Sequence, residues 1–289
     1  AWTDPLTALF MATSATCVTG HTVVDPGGFF SLFGQLILLG LVQIGGLGFM
    51  TLAMVCLVLL GRRLTIQSEQ SLTASLGVDQ VVRLKRLLVR TVIVSLAFEL
   101  AGAAVLAVRF WGAPGVGSAG RAVYAGLFHA VSAFCNAGFD LFGTAGSLVQ
   151  FHNDALVLMT ISLLIIMGGL GFTVISDLIT NRFRMRRTTL HTRMVVVTTL
   201  ILLAGGMLYF GLAEWNNPRT LGYGDAKTGE KLLNAWFQSV TPRTAGFSSF
   251  DQGALSDASK LVTIILMLVG ASPASTGGGI KTSTLAVIV

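Results

Sequence analysis

The sequence predicts an all-α membrane protein built from repeated units of helix, pore loop and helix. Three observations carry that prediction. Mean hydropathy is +0.77, with 53% hydrophobic and 11% charged residues, where a soluble domain carries about 25% charged. Five apolar stretches, roughly 29–60, 91–110, 154–180, 194–214 and 258–289, are long enough to cross a bilayer as helices, which takes roughly 20 residues. A shorter apolar pattern ending in a glycine loop also recurs three times. The 34 glycines fit this class, because glycine is more frequent in membrane helices than in soluble ones.

The first copy of the short pattern reads Ala8-Leu9-Phe10-Met11-Ala12-Thr13-Ser14, with Gly20 six residues after Ser14. The second reads Gly126-Leu127-Phe128-His129-Ala130-Val131-Ser132, with Gly138 six residues on. The third reads Ala235-Trp236-Phe237-Gln238-Ser239-Val240-Thr241, with Gly246 five residues on. Each predicts a half-helix too short to span, followed by irregular backbone. At membrane depth such backbone is tolerated only where it lines a water-filled path or is buried in protein. Three of them point to a pore.

Each half-helix belongs to a larger unit. Gly20, Gly138 and Gly246 are spaced by 118 and 108 residues. The span after each half-helix carries a glycine cluster of its own. It reads Ile44-Gly45-Gly46-Leu47-Gly48-Phe49 in the first unit and Met167-Gly168-Gly169-Leu170-Gly171-Phe172 in the second. In the third it is replaced by Gly270-Ala271-Ser272-Pro273-Ala274-Ser275-Thr276-Gly277-Gly278-Gly279-Ile280-Lys281. Counted from the loop glycines, the clusters begin 25, 30 and 31 residues later, the last at Gly277. The expected units are a partial first unit over 1–60, a second over 61–180 and a third over 181–289. In that register the first unit lacks a leading span and no fourth unit is present. The chain is therefore expected to be the middle of a longer protein.

Charge sets the orientation. Of 19 Lys and Arg, 11 fall in two connections: Arg62, Arg63, Arg83, Lys85, Arg86 and Arg90, then Arg182, Arg184, Arg186, Arg187 and Arg193. The positive-inside rule places both in the cytoplasm, so all three half-helices enter from the outer face. That distribution explains the net charge of +6 by topology and anionic lipid rather than nucleic acid. Cys17, Cys56 and Cys135 lack metal-ligand spacing, and His21, His129, His152 and His191 are scattered. No HExxH or GxSxG pattern occurs, so an enzyme is not expected, nor a cofactor. No signal peptide pattern is visible at Ala1-Trp2-Thr3-Asp4.

Five stretches carry a family resemblance: Ala15-Thr16-Cys17-Val18-Thr19-Gly20, Gln43 to Phe49, Ser132 to Phe139, Ser239 to Phe247, and Thr276 to Lys281. At these residues the chain resembles the Trk/Ktr/HKT superfamily of potassium transporters, most closely the bacterial Ktr membrane subunits. The resemblance implies four units around a pseudo-fourfold ion pore with one filter glycine in each. It implies potassium uptake through a multi-pass protein of the prokaryotic plasma membrane, with sodium as a candidate activator. It also implies a homodimer and a cytoplasmic nucleotide-binding (RCK/KTN-type) ring subunit as partner. The family's charged residue on the last helix of the fourth unit has no counterpart here.

The filter can be argued from its chemistry. A potassium ion must exchange its hydration shell for oxygens, which inward-facing carbonyls supply. Glycine permits backbone conformations that a side chain penalises. The candidate donors are Cys17, Val18, Thr19 and Gly20; Cys135, Asn136, Ala137 and Gly138; and Arg243, Thr244, Ala245 and Gly246. Their side chains differ between units, so one or two sites centred on the glycines are expected rather than a long identical stack. Each half-helix would point its partly negative C-terminus inward, favouring a cation. The bland alternative is glycines that only permit close helix packing.

The third unit's 270–281 stretch is the candidate gate, through Ser272, Pro273, Gly277, Gly278, Gly279 and Lys281. Proline and successive glycines break a helix there, which leaves either a movable loop beneath the filter or a kinked helix. Lys281 is either an electrostatic barrier or a snorkelling lysine. Glu99, mid-span, is expected to bond a neighbouring helix; Asp140 either concentrates cations or is a solvated loop residue. Arg243 is expected to turn its side chain away from the axis. The rival function is a secondary transporter with broken helices for another cation or small solute. That class normally shows inverted repeats, whereas these units share one orientation.

Overall fold

The computed structural model describes residues 4–48, 78–113, 116–143, 147–222, 224 and 226–288, with side chains of the 78–110 helix from Val89 onward. Regular structure among them is helical throughout. Helix α1 (Pro5–Thr16) starts where the Asp4 carboxylate accepts the Thr7 amide and Pro5 takes the first helical position. One turn, α2 (Pro26–Phe29), is capped by Asp25. Helix α3 (Leu32–Leu47) starts on Ser31 and ends at Gly48, where φ is +77°. Helix α4 (Val78–Phe110) leads into α5 (Ala119–Phe134), capped by Ser118. Then follow α6 (Ala155–Leu170), α7 (Phe172–Thr180), α8 (Leu190–Ala213), α9 (Thr228–Val240), α10 (Asp257–Leu268) and α11 (Thr282–Ile288).

Two helices, Val89–Phe110 and Leu190–Ala213, are long and apolar enough to cross a membrane, and α6 with α7 makes a third if counted as one. That pair corrects the expectation of one span over 154–180, because the two helices meet at 97°. The break sits at Gly171, where φ is +88° and a Cβ would come within 2.5 Å of the Pro273 carbonyl oxygen. The stretch 29–60 also differs: the helix begins only at Leu32, after Phe30 and Ser31 take extended backbone. Residues 49–60 with Cys56, and Arg62 and Arg63, lie outside the described residues, as do the side chains of Arg83, Lys85 and Arg86. The stretch 258–289 is divided into α10 and α11 by the 270–281 loop.

Small residues bring spans and half-helices together, as expected where apolar lipid gives little drive to association. A Cβ on Gly126 of α5 would meet the Ala103 carbonyl and the Ala107 amide of α4 at 2.7 Å. In the third unit the relation is mirrored: Gly206 of α8 leaves room for Ser239 of α9, whose hydroxyl donates to the Leu203 carbonyl at 2.7 Å. Packed this way, α5 is buried almost completely from Gly126 to Phe134 and forms the centre of the largest core cluster with Phe110, Phe151 and Phe247. Outward-facing residues such as Leu200, Ile201 and Leu212 of α8 are exposed, the pattern of a lipid-facing surface. Arg109 closes the end of α4 onto Asp154, the cap of α6, at 2.6 Å.

Candidate functional site

Helices α1, α5 and α9 end at one place. The chain leaves α1 and α5 by the same turn: the Thr19 amide donates to the Ser14 carbonyl at 2.9 Å, and the Ala137 amide to the Ser132 carbonyl at 2.8 Å. These five-residue back-bonds are a Schellman-type ending, which places residues in the left-handed region. In the third unit the corresponding bond runs from Gly246 to Thr241 at 3.4 Å, one residue later relative to its glycine, which accounts for the shorter Thr241–Gly246 spacing. All three loops then repeat one backbone pattern. A non-glycine residue with positive φ stands two positions before a glycine with positive φ: Val18 +54° and Gly20 +73°, Asn136 +56° and Gly138 +69°, Thr244 +66° and Gly246 +82°. Non-glycine residues resist that region, so three repetitions require surroundings that enforce it.

The enforcing contacts are largely hydroxyls at the ends of the half-helices. The Ser132 hydroxyl donates to the Phe139 carbonyl at 2.7 Å, and the Thr241 hydroxyl bonds the Phe247 carbonyl in the same way. Phe139 and Phe247, immediately after the loop glycines, are buried anchors. The first unit carries His21 in that position, exposed, and its Ser14 hydroxyl pairs with Thr19 Oγ1 at 2.9 Å instead.

The glycines neighbour one another in chain order, Gly20 beside Gly138 and Gly138 beside Gly246. A Cβ on Gly20 would lie 2.4 Å from the Ala137 carbonyl oxygen, and one on Gly138 would lie 2.5 Å from the Ala245 carbonyl oxygen. Gly246 approaches the Gly138 Cα, where its own Cβ would sit at 3.4 Å. The loops 17–20, 135–138 and 243–246 therefore stand side by side in chain order.

Against them lies the 270–281 loop. Thr276 donates from Oγ1 to the Phe134 carbonyl at 3.0 Å. Gly277 sits where a Cβ would press on Thr244 Oγ1 at 2.5 Å and on Asn136 Nδ2 at 3.2 Å. Arg243, 6% exposed, donates from Nη2 to the Gly270 carbonyl at 3.2 Å, while its own carbonyl accepts from Asn136 Nδ2 at 3.3 Å. The loop is also bonded to the break between α6 and α7. The Ser272 amide donates to Gly169 at 3.0 Å, the Thr276 amide to Gly168 at 3.3 Å, and the Phe172 amide to Ala274 at 2.9 Å. Within the loop Ala271 bonds Gly278 at 3.0 Å, and the Ser272 hydroxyl faces that of Thr282 at 2.9 Å. Pro273 starts a turn, with Ala274 at φ +55°, and Gly279 bends the chain at φ +77°. This is a folded loop rather than a kinked helix.

Lys281 is partly buried, and its ammonium donates to the Gly277 carbonyl at 2.8 Å. Asp140 caps a turn, accepting from the Phe142 and Gly143 amides at 3.1 and 3.3 Å. His129 is a buried packing residue, bonded to the Ala125 carbonyl at 2.7 Å and stacked on Phe142. Cys17 is exposed and Cys135 buried, both as free thiols. Among the described residues no group of His, Cys, Asp and Glu could hold a metal ion. Sequence reasoning missed the partners of the 270–281 loop, Gly168, Gly169 and Gly171. Those glycines were visible only as a repeat marker.

Comparison with known proteins follows the same lines. The TrkH family, described as a cation transport protein, matches residues 2–289. The chain is 41% identical over 288 residues to Ktr system potassium uptake protein B of Bacillus subtilis (strain 168), covering 100% of this chain and 62% of that protein. It is 44% identical over 281 residues to the protein of the same name from Vibrio alginolyticus, covering 97% and 60%. With the potassium/sodium uptake protein NtpJ of Enterococcus hirae it shares 37% over 282 residues, covering 98% and 60%. The crystal structure of the potassium transporter TrkH from Vibrio parahaemolyticus superposes with a TM-score of 0.66 at 18% identity, a likeness of fold over 99% of this chain and 54% of that one. The chain thus spans about three fifths of the length of these curated relatives. With its apolar spans and lipid-facing surface it is a multi-pass membrane protein, and it belongs to the TrkH family of cation transport proteins.

Proposed function

We propose that the gene product containing this chain takes up potassium ions across a prokaryotic plasma membrane, through a filter whose members here are loops 17–20, 135–138 and 243–246. One observation supports this above the others: three loops of one backbone pattern meet with their glycines in contact. Backbone oxygens gathered there replace the hydration shell of the ion. Helices α1, α5 and α9 bring their C-terminal ends to these loops, adding partly negative dipole ends favourable to a cation. Because the side chains beside the glycines differ, the filter offers one or two good sites.

The 270–281 loop is the gate in this reading. It is bonded to the end of α5 through Thr276, to the third loop through Arg243 and to the α6–α7 break through Gly168 and Gly169, contacts that support a position on the ion path below the filter. Opening requires those bonds to break. Each is worth about 1 kcal/mol net, a scale on which a partner subunit can act. A cytoplasmic nucleotide-binding ring, a homodimer and sodium activation belong to the same proposal, as the family resemblance of the sequence implies. The test is uptake of potassium, traced with rubidium, into proteoliposomes holding the purified gene product. Saturable uptake that potassium inhibits and sodium inhibits far less is expected. Uptake of another solute, with none of potassium, would refute the reading.

A further inference from the structure

Glu99 has no part in the function just described, yet it is 2% exposed within the Val89–Phe110 span. A buried carboxylate at membrane depth is expensive unless partnered. An amide partners it: Gln43 Nε2 of α3 donates to both carboxylate oxygens, at 3.0 and 3.1 Å. The other end of that amide faces the filter. Gln43 Oε1 accepts from the Cys135 thiol at 3.9 Å, and Cys135 opens the second filter strand. Glu99, Gln43 and Cys135 thus form a polar chain from a membrane span to the back of the filter.

Two and three residues further along α3, Gly45 and Gly46 carry that position to both neighbouring loops. A Cβ on Gly45 would come within 2.1 Å of the Thr16 carbonyl and 2.9 Å of Val18, at the first strand. One on Gly46 would come within 2.5 Å of Cys135 Sγ, at the second. The last turn of α3 is therefore a wedge without slack between two filter strands, and Gln43 anchors it. The repeat does not require a polar anchor. The matching stretch of the second unit, Ile166-Met167-Gly168-Gly169, has an isoleucine at the position of Gln43, packed into the core. A polar pair, Glu99 buried and Gln43 half-buried, stands where the repeat uses an apolar residue in place of Gln43.

We propose that Glu99, acting through Gln43, is a positioning residue that fixes the second filter strand at Cys135 and so sets discrimination among cations. The proposal rests on the filter reading above. It is tested by measuring the ratio of potassium to sodium uptake, with the maximal potassium rate, for variants of the gene product in proteoliposomes. E99L/Q43I replaces the pair by apolar residues, the second borrowed from the repeat, an exchange that folded proteins often accept. Discrimination is expected to fall about tenfold, equivalent to 1.4 kcal/mol, with the maximal potassium rate near wild type. E99Q, whose amide still reaches Gln43, is expected to keep most of the ratio. Should E99L/Q43I not fold, E99Q/Q43M, near-isosteric and free of buried charge, carries the same expectation of loss. A wild-type ratio in the folded double variant, while Gly138→Ser lowers it, overturns the proposal and leaves the filter standing. An equal loss in E99Q overturns action through Gln43. Unchanged ratios in every variant, Gly138→Ser included, bring down the filter reading and this proposal together.

Discussion

Alanine in place of Gly20, Gly138 or Gly246 gives three perturbations whose order the geometry dictates. All three positions have positive φ, +73° at Gly20, +69° at Gly138 and +82° at Gly246, so each alanine meets left-handed strain of roughly 1–2 kcal/mol. The steric part differs. At Gly20 and Gly138 the new methyl would sit 2.4 and 2.5 Å from a carbonyl oxygen of the adjacent strand, about 1 Å inside ordinary contact. At Gly246 the nearest atom is the Gly138 Cα at 3.4 Å, which is tolerable. Gly246→Ala therefore carries strain alone, and about tenfold loss of potassium-over-sodium discrimination is expected from ~1.4 kcal/mol. Gly20→Ala and Gly138→Ala must also displace an oxygen of the neighbouring strand, and should lose roughly a hundredfold or all uptake, the scale at which 1 Å errors act in ordered sites. The assay is concentration-dependent rubidium and sodium uptake in proteoliposomes. Equal effects at the three positions, or the largest at Gly246, would refute the side-by-side arrangement.

Other expectations follow from the same contacts. Removing residues 274–279 deletes the segment that carries Thr276 and Gly277, and should raise flux and reduce dependence on a cytoplasmic partner; a folded deletion protein with normal or lower flux would make the loop purely structural. Glu214, at the end of α8, is buried, which raises its pKa, but bonds from Ser256, Ser259 and Asn217 outweigh this and hold it at about 2 rather than 4.5. Its stabilisation is complete above pH 4.5 and lost as pH falls towards 2, and Glu214→Gln should remove up to about 3 kcal/mol at neutral pH, read as a lower melting temperature in detergent. An unchanged melting temperature would contradict the network. Gly168→Ala should abolish folded protein, because its Cβ would fall 1.9 Å from the Phe134 carbonyl, whereas Gly40→Ala, with nothing within 4 Å, should stabilise α3 by about 1 kcal/mol. Comparable yields of the two would refute the close packing of α6 on the second strand.

The half-helices were legible in the sequence because their signal is local: an apolar run, a terminal Ser or Thr, and a glycine at fixed distance. The structure puts helices α1, α5 and α9 over those runs, and places their glycines together. The break at Gly171 was not legible, since its cause is remote. Gly171 makes room for Pro273, a hundred residues away in the chain, and hydropathy alone reads 154–180 as continuous. Charge alone left Lys281 as a barrier or a snorkelling end, and its bond to the carbonyl four residues back is visible only in the fold. Glu99 was expected to bond a neighbouring helix, and it does, yet only the fold reveals that its partner Gln43 also faces Cys135.

The central claim is that an ion sits where the three glycine loops meet. Anomalous scattering from rubidium-soaked crystals of the gene product tests it most directly. The account predicts a peak bounded by Gly20, Gly138 and Gly246, weakened when Gly138 is replaced by alanine. Rubidium found only elsewhere, for instance at the α6–α7 break, with no peak among these glycines, would contradict it.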